Sequence, residues 1–326
     1  MFGELRRHVA AGATLGSDDS LYRAYLDFYG LIPEQNYPTV LCEISVFQAA
    51  GERLIAQIFR PEIPEHQQCA GRAIIVHGYY DHVGLYGHLI RDCLDKNFEV
   101  LAFDLPGHGL SSGPTASIDS FDRYQESLDA FLAKYSMGAN NNTWLFGQSM
   151  GGAIVMEHLL TKIQPQQNPY KQVVLFAPLV RPAMWPLNKY VFAVLKRLIK
   201  AQKRSFARNS HDVDFLEFVR SDPLQAPTLP IQWVRAMVEW MQRFESLPDS
   251  QLKLCVIQGK SDGTVDRKYN MAVVKQKFQP EILHIEKARH HLVNESAEIR
   301  TEMFSYIWGR GKVPGENINL APPRLD

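Results

Sequence analysis

Two periodicities divide this chain. Over residues 40–47 and 53–60 apolar and polar positions alternate on either side of Ala50-Gly51-Glu52, which predicts a β-hairpin. From residue 73 onward, short unbroken apolar runs take over, at 73–76, 100–103, 143–146, 172–176, 252–257 and 281–285. Runs of this kind suit strands buried on both faces, as in a parallel sheet. Segments with helical spacing separate them, near 85–96, 120–135, 153–160, 266–278 and 294–308, and a helix and loop over 20–38 precede the hairpin. Strands that alternate with helices require right-handed crossovers, so the pattern predicts an α/β fold with a mostly parallel central sheet flanked by helices. One long interruption follows residue 176, where helical and proline-punctuated segments contain no buried strand. Residues 180–247 are therefore expected to form a helical cap inserted into a core built from 1–179 and 248–326. The tail 314–326, rich in proline and asparagine, is expected to be extended.

Composition narrows the function without naming it. The 326 residues carry 35 Lys+Arg and 35 Asp+Glu, so no overall field favours nucleic acid. Cys42, Cys69, Cys93 and Cys255 lie far apart with no Cys-x-x-Cys spacing, which points to free thiols rather than a zinc site or disulfide framework. The N-terminus lacks a signal-like apolar stretch, and no window reaches the roughly 18 uncharged apolar residues of a membrane span. A cytoplasmic protein is expected, peripheral to the membrane at most.

The chemistry centres on Gly147-Gln148-Ser149-Met150-Gly151, which joins the run 143–146 directly to a helical pattern. Gly-x-Ser-x-Gly between strand and helix fits a nucleophile elbow, a strained turn that lifts the serine oxygen above the sheet and leaves no room for a Cβ on either flank. A serine hydroxyl needs a base and an orienting acid, which in this arrangement come later in the chain. Gly259-Lys260-Ser261-Asp262-Gly263-Thr264-Val265-Asp266 and Ala288-Arg289-His290-His291 each follow a predicted strand. Both loops offer alternatives: Asp262 could form a turn while Asp266 serves as acid, or Asp266 could cap a helix, and either His290 or His291 could be the base. His77, Asp81, His82, Asp104 and His108 sit in two neighbouring loops, but serine chemistry needs no metal, and no cofactor is expected. Gly107, Gly109 and Gly113 lack the lysine of a phosphate loop.

His77-Gly78, Asp104-Leu-Pro-Gly-His-Gly109, Gly147-Gln-Ser-Met-Gly151, Gly259-Lys-Ser-Asp262 and Ala288-Arg-His290 occur in the order of the motifs of an α/β-hydrolase. The set resembles the monoacylglycerol lipase and lysophospholipase L2 group of serine hydrolases, from about residue 40 to 308. Ser221-Asp-Pro-Leu224 and Trp233-Val-Arg-Ala-Met237 add to the likeness. Gln148 departs from the histidine frequent there, and the paired His290-His291 is a second departure. The resemblance implies Ser149 as nucleophile, Asp262 as orienting carboxylate, His290 as general base, and the backbone N–H groups of Tyr79 and Met150 as oxyanion hole. It also implies a single-chain lipid ester, monoacylglycerol or lysophospholipid, as substrate. Trp185, Tyr190, Phe192, Trp233 and Met237, together with Trp240 and Met241, offer an acyl-binding roof. A broad carboxylesterase or thioesterase is the alternative enzyme, and a catalytically silent binding module the alternative of another class.

Residues 188–208 contain seven Lys or Arg and no acid. On a helix Tyr190, Val191, Val194, Leu195 and Leu198 would share one face while Lys189, Lys196, Lys200 and Lys203 fall largely on others. This pattern is expected either to cover the cleft with solvated charges outward or to rest on anionic membrane.

Overall fold

The computed structural model describes residues 2–33, 36–37, 39–63, 68–136, 142–195 and 198–309. Its strands are β1 (Leu15–Gly16), β2 (Val40–Ala49), β3 (Glu52–Pro61), β4 (Gly71–Val76), β5 (Phe98–Phe103), β6 (Thr143–Gln148), β7 (Tyr170–Phe176), β8 (Ala201–Lys203), β9 (Thr228–Pro230), β10 (Lys253–Gly259) and β11 (Gln279–Ile285). Nine form one sheet in the order β1-β2-β3-β5-β4-β6-β7-β10-β11. The pairs up to β3–β5 are antiparallel, and every later pair is parallel.

Strand periodicity explains the unbroken apolar runs. Successive side chains point to opposite faces. Ile74, Val76, Leu101, Phe103 and Leu145 enter one core with the helices Asp122–Tyr135, Met150–Lys162 and Arg267–Lys277. Ala73, Ile75, Val100, Ala102, Trp144 and Phe146 enter a second core with the helices Gly3–Ala10, Ser20–Phe28, Gly87–Asp95 and Ala297–Gly309. With helices on both sides neither strand face can be polar, whereas the β2–β3 hairpin keeps some exposed positions. Its turn places Ala50 and Gly51 at φ 51° and 72°, the paired left-handed conformations of a tight hairpin.

Between β7 and β10 the chain leaves the sheet for the helices Trp185–Leu195, Val213–Ser221 and Ile231–Ser246 and the β8–β9 ribbon. Both ribbon strands are three residues long and at least partly exposed, so no buried apolar run announces them. Two buried polar ties hold this excursion down. Trp240 Nε1 and Arg243 donate to Glu157 on the helix Met150–Lys162, and Asp222 meets His82 Nε2 at 2.8 Å with both side chains inaccessible. The tail 314–326 lies outside the described residues.

Candidate active site

β6 ends at Gln148 and the helix Met150–Lys162 begins two residues later, so Ser149 alone makes the turn. Its backbone sits at φ 52° and ψ −111°, a region that costs a non-glycine residue about 1–3 kcal/mol. Neighbours hold it there: Ser149 N donates to Phe176 O at 2.9 Å, and Ser149 O accepts from Ala153 N and Leu179 N. The flanking glycines are required by contact. A Cβ on Gly147 would lie 2.8 Å from Gly151 O, and one on Gly151 would lie 2.0 Å from Val76 O.

The loops after β10 and β11 converge on this turn. His290 Nε2 lies 2.9 Å from Ser149 Oγ, and His290 Nδ1 lies 2.9 Å from Asp262 Oδ2. Asp262 also accepts from Gln258 Nε2 at 3.0 Å and from the backbone N–H of Thr264 and Val265. Burial pushes its carboxyl pKa up, but the adjoining His290 and these donors outweigh burial and hold it below the ordinary carboxylate value. Asp266 is elsewhere: it accepts from Tyr269 N as N-cap of the helix Arg267–Lys277 and pairs with Arg181 at 2.7 Å. Thus Asp262, His290 and Ser149 form one hydrogen-bonded line, and Asp266 is not on it.

His291 occupies a different position. Its Nε2 lies 3.1 Å from Asp81 Oδ1, while Asp81 Oδ2 accepts from Tyr86 OH, which in turn accepts from Gly78 N. The tautomer follows from the neighbours. Asn294 Nδ2 donates to Leu85 O at 2.7 Å and faces His291 Nδ1 at 3.4 Å, so Nδ1 is the acceptor and Nε2 carries the proton toward Asp81. The residue beside the candidate base therefore braces the loop at Gly78 and Tyr79. Neither Tyr79 N nor Met150 N, the first N–H of its helix, has a backbone hydrogen bond among the described residues.

Two supporting residues had no role assigned from the sequence. Gln148, which departs from the histidine frequent in the resembling lipases, donates from Nε2 to His290 O at 3.0 Å and ties the elbow to the loop of His290. Gln258, buried at the end of β10, donates to Asp262. The histidines that raised a metal reading have other partners: His77 Nε2 accepts from Leu105 N, His108 Nδ1 meets Pro106 O, and Asp104 accepts from Val83 N and Leu110 N.

A cavity of about 600 Å³ opens above Ser149 and His290. Trp185, Phe192, Trp233 and Met237 line it, with Trp233 stacked on Tyr79 at 3.7 Å. Tyr190 does not: it is 66% exposed. Within the helix Trp185–Leu195 the cavity face runs through Trp185, Asn188 and Phe192, spacing that turns position 190 outward. The long basic helix expected over 188–208 is likewise corrected, because the helix ends at Leu195 and Ala201–Lys203 instead pair with Thr228–Pro230. The side chains of Val191, Val194 and Leu195, and residues Lys196 and Arg197, lie outside the described set.

A serine in a strained strand-to-helix turn, with these loops at the C-terminal ends of parallel strands, is the arrangement against which known proteins can be compared. Residues 67–297 match the Hydrolase_4 model, described as serine aminopeptidase, S33. The chain belongs to that α/β-hydrolase family. It is 25% identical to human monoglyceride lipase over 85% of this chain and 90% of that one, and 25% identical to phospholipase YtpA of Bacillus subtilis over 60% and 76%. Among solved structures, the monoacylglycerol lipase of Paleococcus ferrophilus superposes with a TM-score of 0.64 at 21% identity, covering 79% of this chain and 97% of that one. A soluble variant of the Saccharomyces cerevisiae monoglyceride lipase, in complex with a substrate analog, gives 0.65 at 14% identity over 82% and 93%. These structural likenesses establish the α/β-hydrolase fold. No helix of the described residues is long and apolar enough to cross a membrane.

Proposed function

We propose that this hydrolase cleaves carboxylic esters of single-chain lipids through an acyl-Ser149 intermediate. The observation that carries the reading is the line from Ser149 Oγ to His290 Nε2 and from His290 Nδ1 to Asp262, each step 2.9 Å, at the floor of a largely apolar cavity. Ser149 Oγ attacks the ester carbonyl as His290 Nε2 takes its proton, and Asp262 holds the imidazole in the tautomer that accepts it. The N–H groups of Tyr79 and Met150 receive the charge on the carbonyl oxygen. Collapse of this intermediate breaks the ester C–O bond, and His290 returns the proton to the departing alcohol oxygen. Water then attacks the acyl-serine while giving a proton to His290, and the fatty acid leaves as Ser149 Oγ regains a proton.

The relatives named monoglyceride lipase and phospholipase support a lipid ester, and the apolar walls at Trp185, Phe192, Trp233 and Met237 suit one acyl chain. Ser149→Ala is expected to fold, to escape labelling by a fluorophosphonate probe, and to lose about 10⁴-fold or more in kcat on monoacylglycerol. Undiminished fatty-acid release by that protein would end the proposal.

The insertion, acting as a cap, also offers a membrane contact. Leu187, Tyr190 and Leu198 are exposed beside Lys189 and Lys200, a mixed apolar and basic surface that suits the interface of an anionic bilayer. Co-sedimentation with phosphatidylglycerol vesicles should exceed that with phosphatidylcholine vesicles and fall with salt. Equal binding to both, or no loss in Lys189→Gln/Lys200→Gln, would leave these residues as ordinary solvated surface.

A further inference from the structure

The loop that carries His290 is held from two sides. From the core, Gln148 Nε2 donates to His290 O and Ser261 N donates to Ala288 O, each at 3.0 Å. From the insertion, four consecutive residues reach the same loop. Arg208 O accepts from Arg289 Nη1 at 2.7 Å, Asn209 O accepts from His291 N at 2.8 Å, Ser210 Oγ donates to Asn294 O at 2.6 Å, and His211 N donates to Glu295 Oε2 at 2.9 Å. The peptide N–H groups on both sides of His290 are thereby engaged, that of His291 by Asn209 and that of Arg289 by Glu295.

Glu295 is the centre of this seam. Its side chain has no accessible surface, and three backbone N–H groups donate to it: Arg289 N to Oε1 at 2.6 Å, His211 N to Oε2, and Ser296 N to Oε2 at 3.1 Å. His211 Nδ1 lies 3.2 Å from both oxygens. Arg289 Nε donates to His211 Nε2 at 3.3 Å, which leaves Nδ1 to donate to the carboxylate. Burying a carboxylate is costly unless its oxygens are bonded, and bonds from N–H to a charged oxygen are the strong ones. A cap at the entry to the helix Ala297–Gly309 would use only the bond to Ser296 N. The remaining bonds join the residue before His290 to the insertion through one buried group.

We infer that Glu295 is a positioning residue: it aims the imidazole of His290 at Ser149 by clamping the loop after β11 to residues 208–211 of the insertion. The seam gives the insertion a part in the chemistry beyond walling the cavity. Through Arg289 N and Asn209 O the backbone of His290 is fixed on the side away from Gln148, so the 2.9 Å approach of Nε2 to Ser149 Oγ depends on both faces of the loop. This inference rests on the reading of Ser149 and His290 as nucleophile and base, and it does not depend on which ester is cleaved.

The test is the reaction of Ser149 with an alkyl fluorophosphonate, resolved into the maximal rate of phosphonylation and the probe's apparent binding constant. Glu295→Gln keeps the side-chain volume but presents an amide N–H₂ where an oxygen accepted a backbone N–H. The maximal rate should fall about 10-fold or more while the binding constant stays within about twofold, because misaim of the base slows the step without altering the apolar walls. Ser210→Ala deletes only the hydroxyl that holds Asn294 O, so it serves where Glu295→Gln does not fold, and it should lower the same rate roughly threefold. An unchanged maximal rate in Glu295→Gln, or a rate and a binding constant that weaken together, would overturn the positioning role and leave Glu295 as a support of the fold. An unchanged rate in Ser210→Ala would overturn the clamp through the insertion. A wild-type protein that reacts with the probe but releases no fatty acid from lipid esters would instead overturn the proposed substrate and leave this inference to its own variants.

Discussion

Ser149 shows how a single backbone conformation carries chemical consequences. A residue held at φ 52° by bonds to Phe176, Ala153 and Leu179 presents its Oγ to a histidine from a loop 141 residues later. At the same scale the paired candidates separate. Asp262→Asn should cost orders of magnitude in kcat, because an amide can leave His290 in the wrong tautomer. Asp266→Asn should cost little activity and a fraction of stability, through its cap and its partly exposed bond to Arg181. Steady-state kinetics beside thermal melts would separate the two effects, and a dead Asp266→Asn with normal stability would reverse the assignment. His291 is less passive than its place next to the base suggests. His291→Ala removes the donor to Asp81 and frees the brace through Tyr86 to Gly78, so kcat should fall by about 10-fold to 100-fold, less than for His290→Ala. Loss of affinity for a trifluoromethyl ketone inhibitor should parallel that fall in kcat/KM, and an unchanged inhibitor constant would remove His291 from oxyanion stabilisation.

Among elements, the helix Trp185–Leu195 is the clearest case of a face decided by its surroundings. Apolar residues lie on more than one side of it, and packing over the cleft selects Trp185, Asn188 and Phe192 for the cavity and leaves Tyr190 and Leu187 outside. Phe192→Ala should therefore raise KM for long-chain esters more than for short ones, whereas Tyr190→Ala should leave hydrolysis of dispersed substrate as it was. A chain-length profile of both variants tests the orientation, and a reversed pattern would mean that the helix is turned the other way. Trp233 on the helix Ile231–Ser246 stacks on Tyr79, so the insertion and the loop after β4 share a wall of the cavity.

For the molecule as a whole, buried histidines set the response to acid. Burial lowers the pKa of His77 to about 3 and those of His88 and His108 to about 4, from 6.5 in an exposed ring. Between those values and 6.5 the unfolded chain binds protons that the folded one refuses. Their contribution is therefore complete above pH 6.5 and drains as pH falls toward the folded values, at up to about 1.4 kcal/mol per pH unit for each ring. Asp262 and Asp222, whose pKa values are lowered, add their own loss only below the ordinary carboxylate range. Burial pushes the Asp92 carboxyl up to about 6 and raises those of Asp104 and Glu157, so these groups offset part of that loss below pH 6. The melting temperature should thus begin to fall from about pH 6.5, before those carboxyls take up protons, and a flat profile between pH 7 and pH 6 would refute the linkage.

The alternation of buried strands with helices, and the Gly-x-Ser-x-Gly turn between them, were legible in the sequence because both rest on local rules. Side-chain period sets the apolar runs, and the absence of a Cβ at positions 147 and 151 permits the turn. The same rules could not choose between Asp262 and Asp266 or between His290 and His291. Each pair shares a loop, and the geometry that distinguishes its members depends on contacts from β6 and from the loop after β4. Nor could helical periodicity show where the basic stretch stops being a helix, since β8 pairs with β9 across the 24 residues of chain between Lys203 and Thr228.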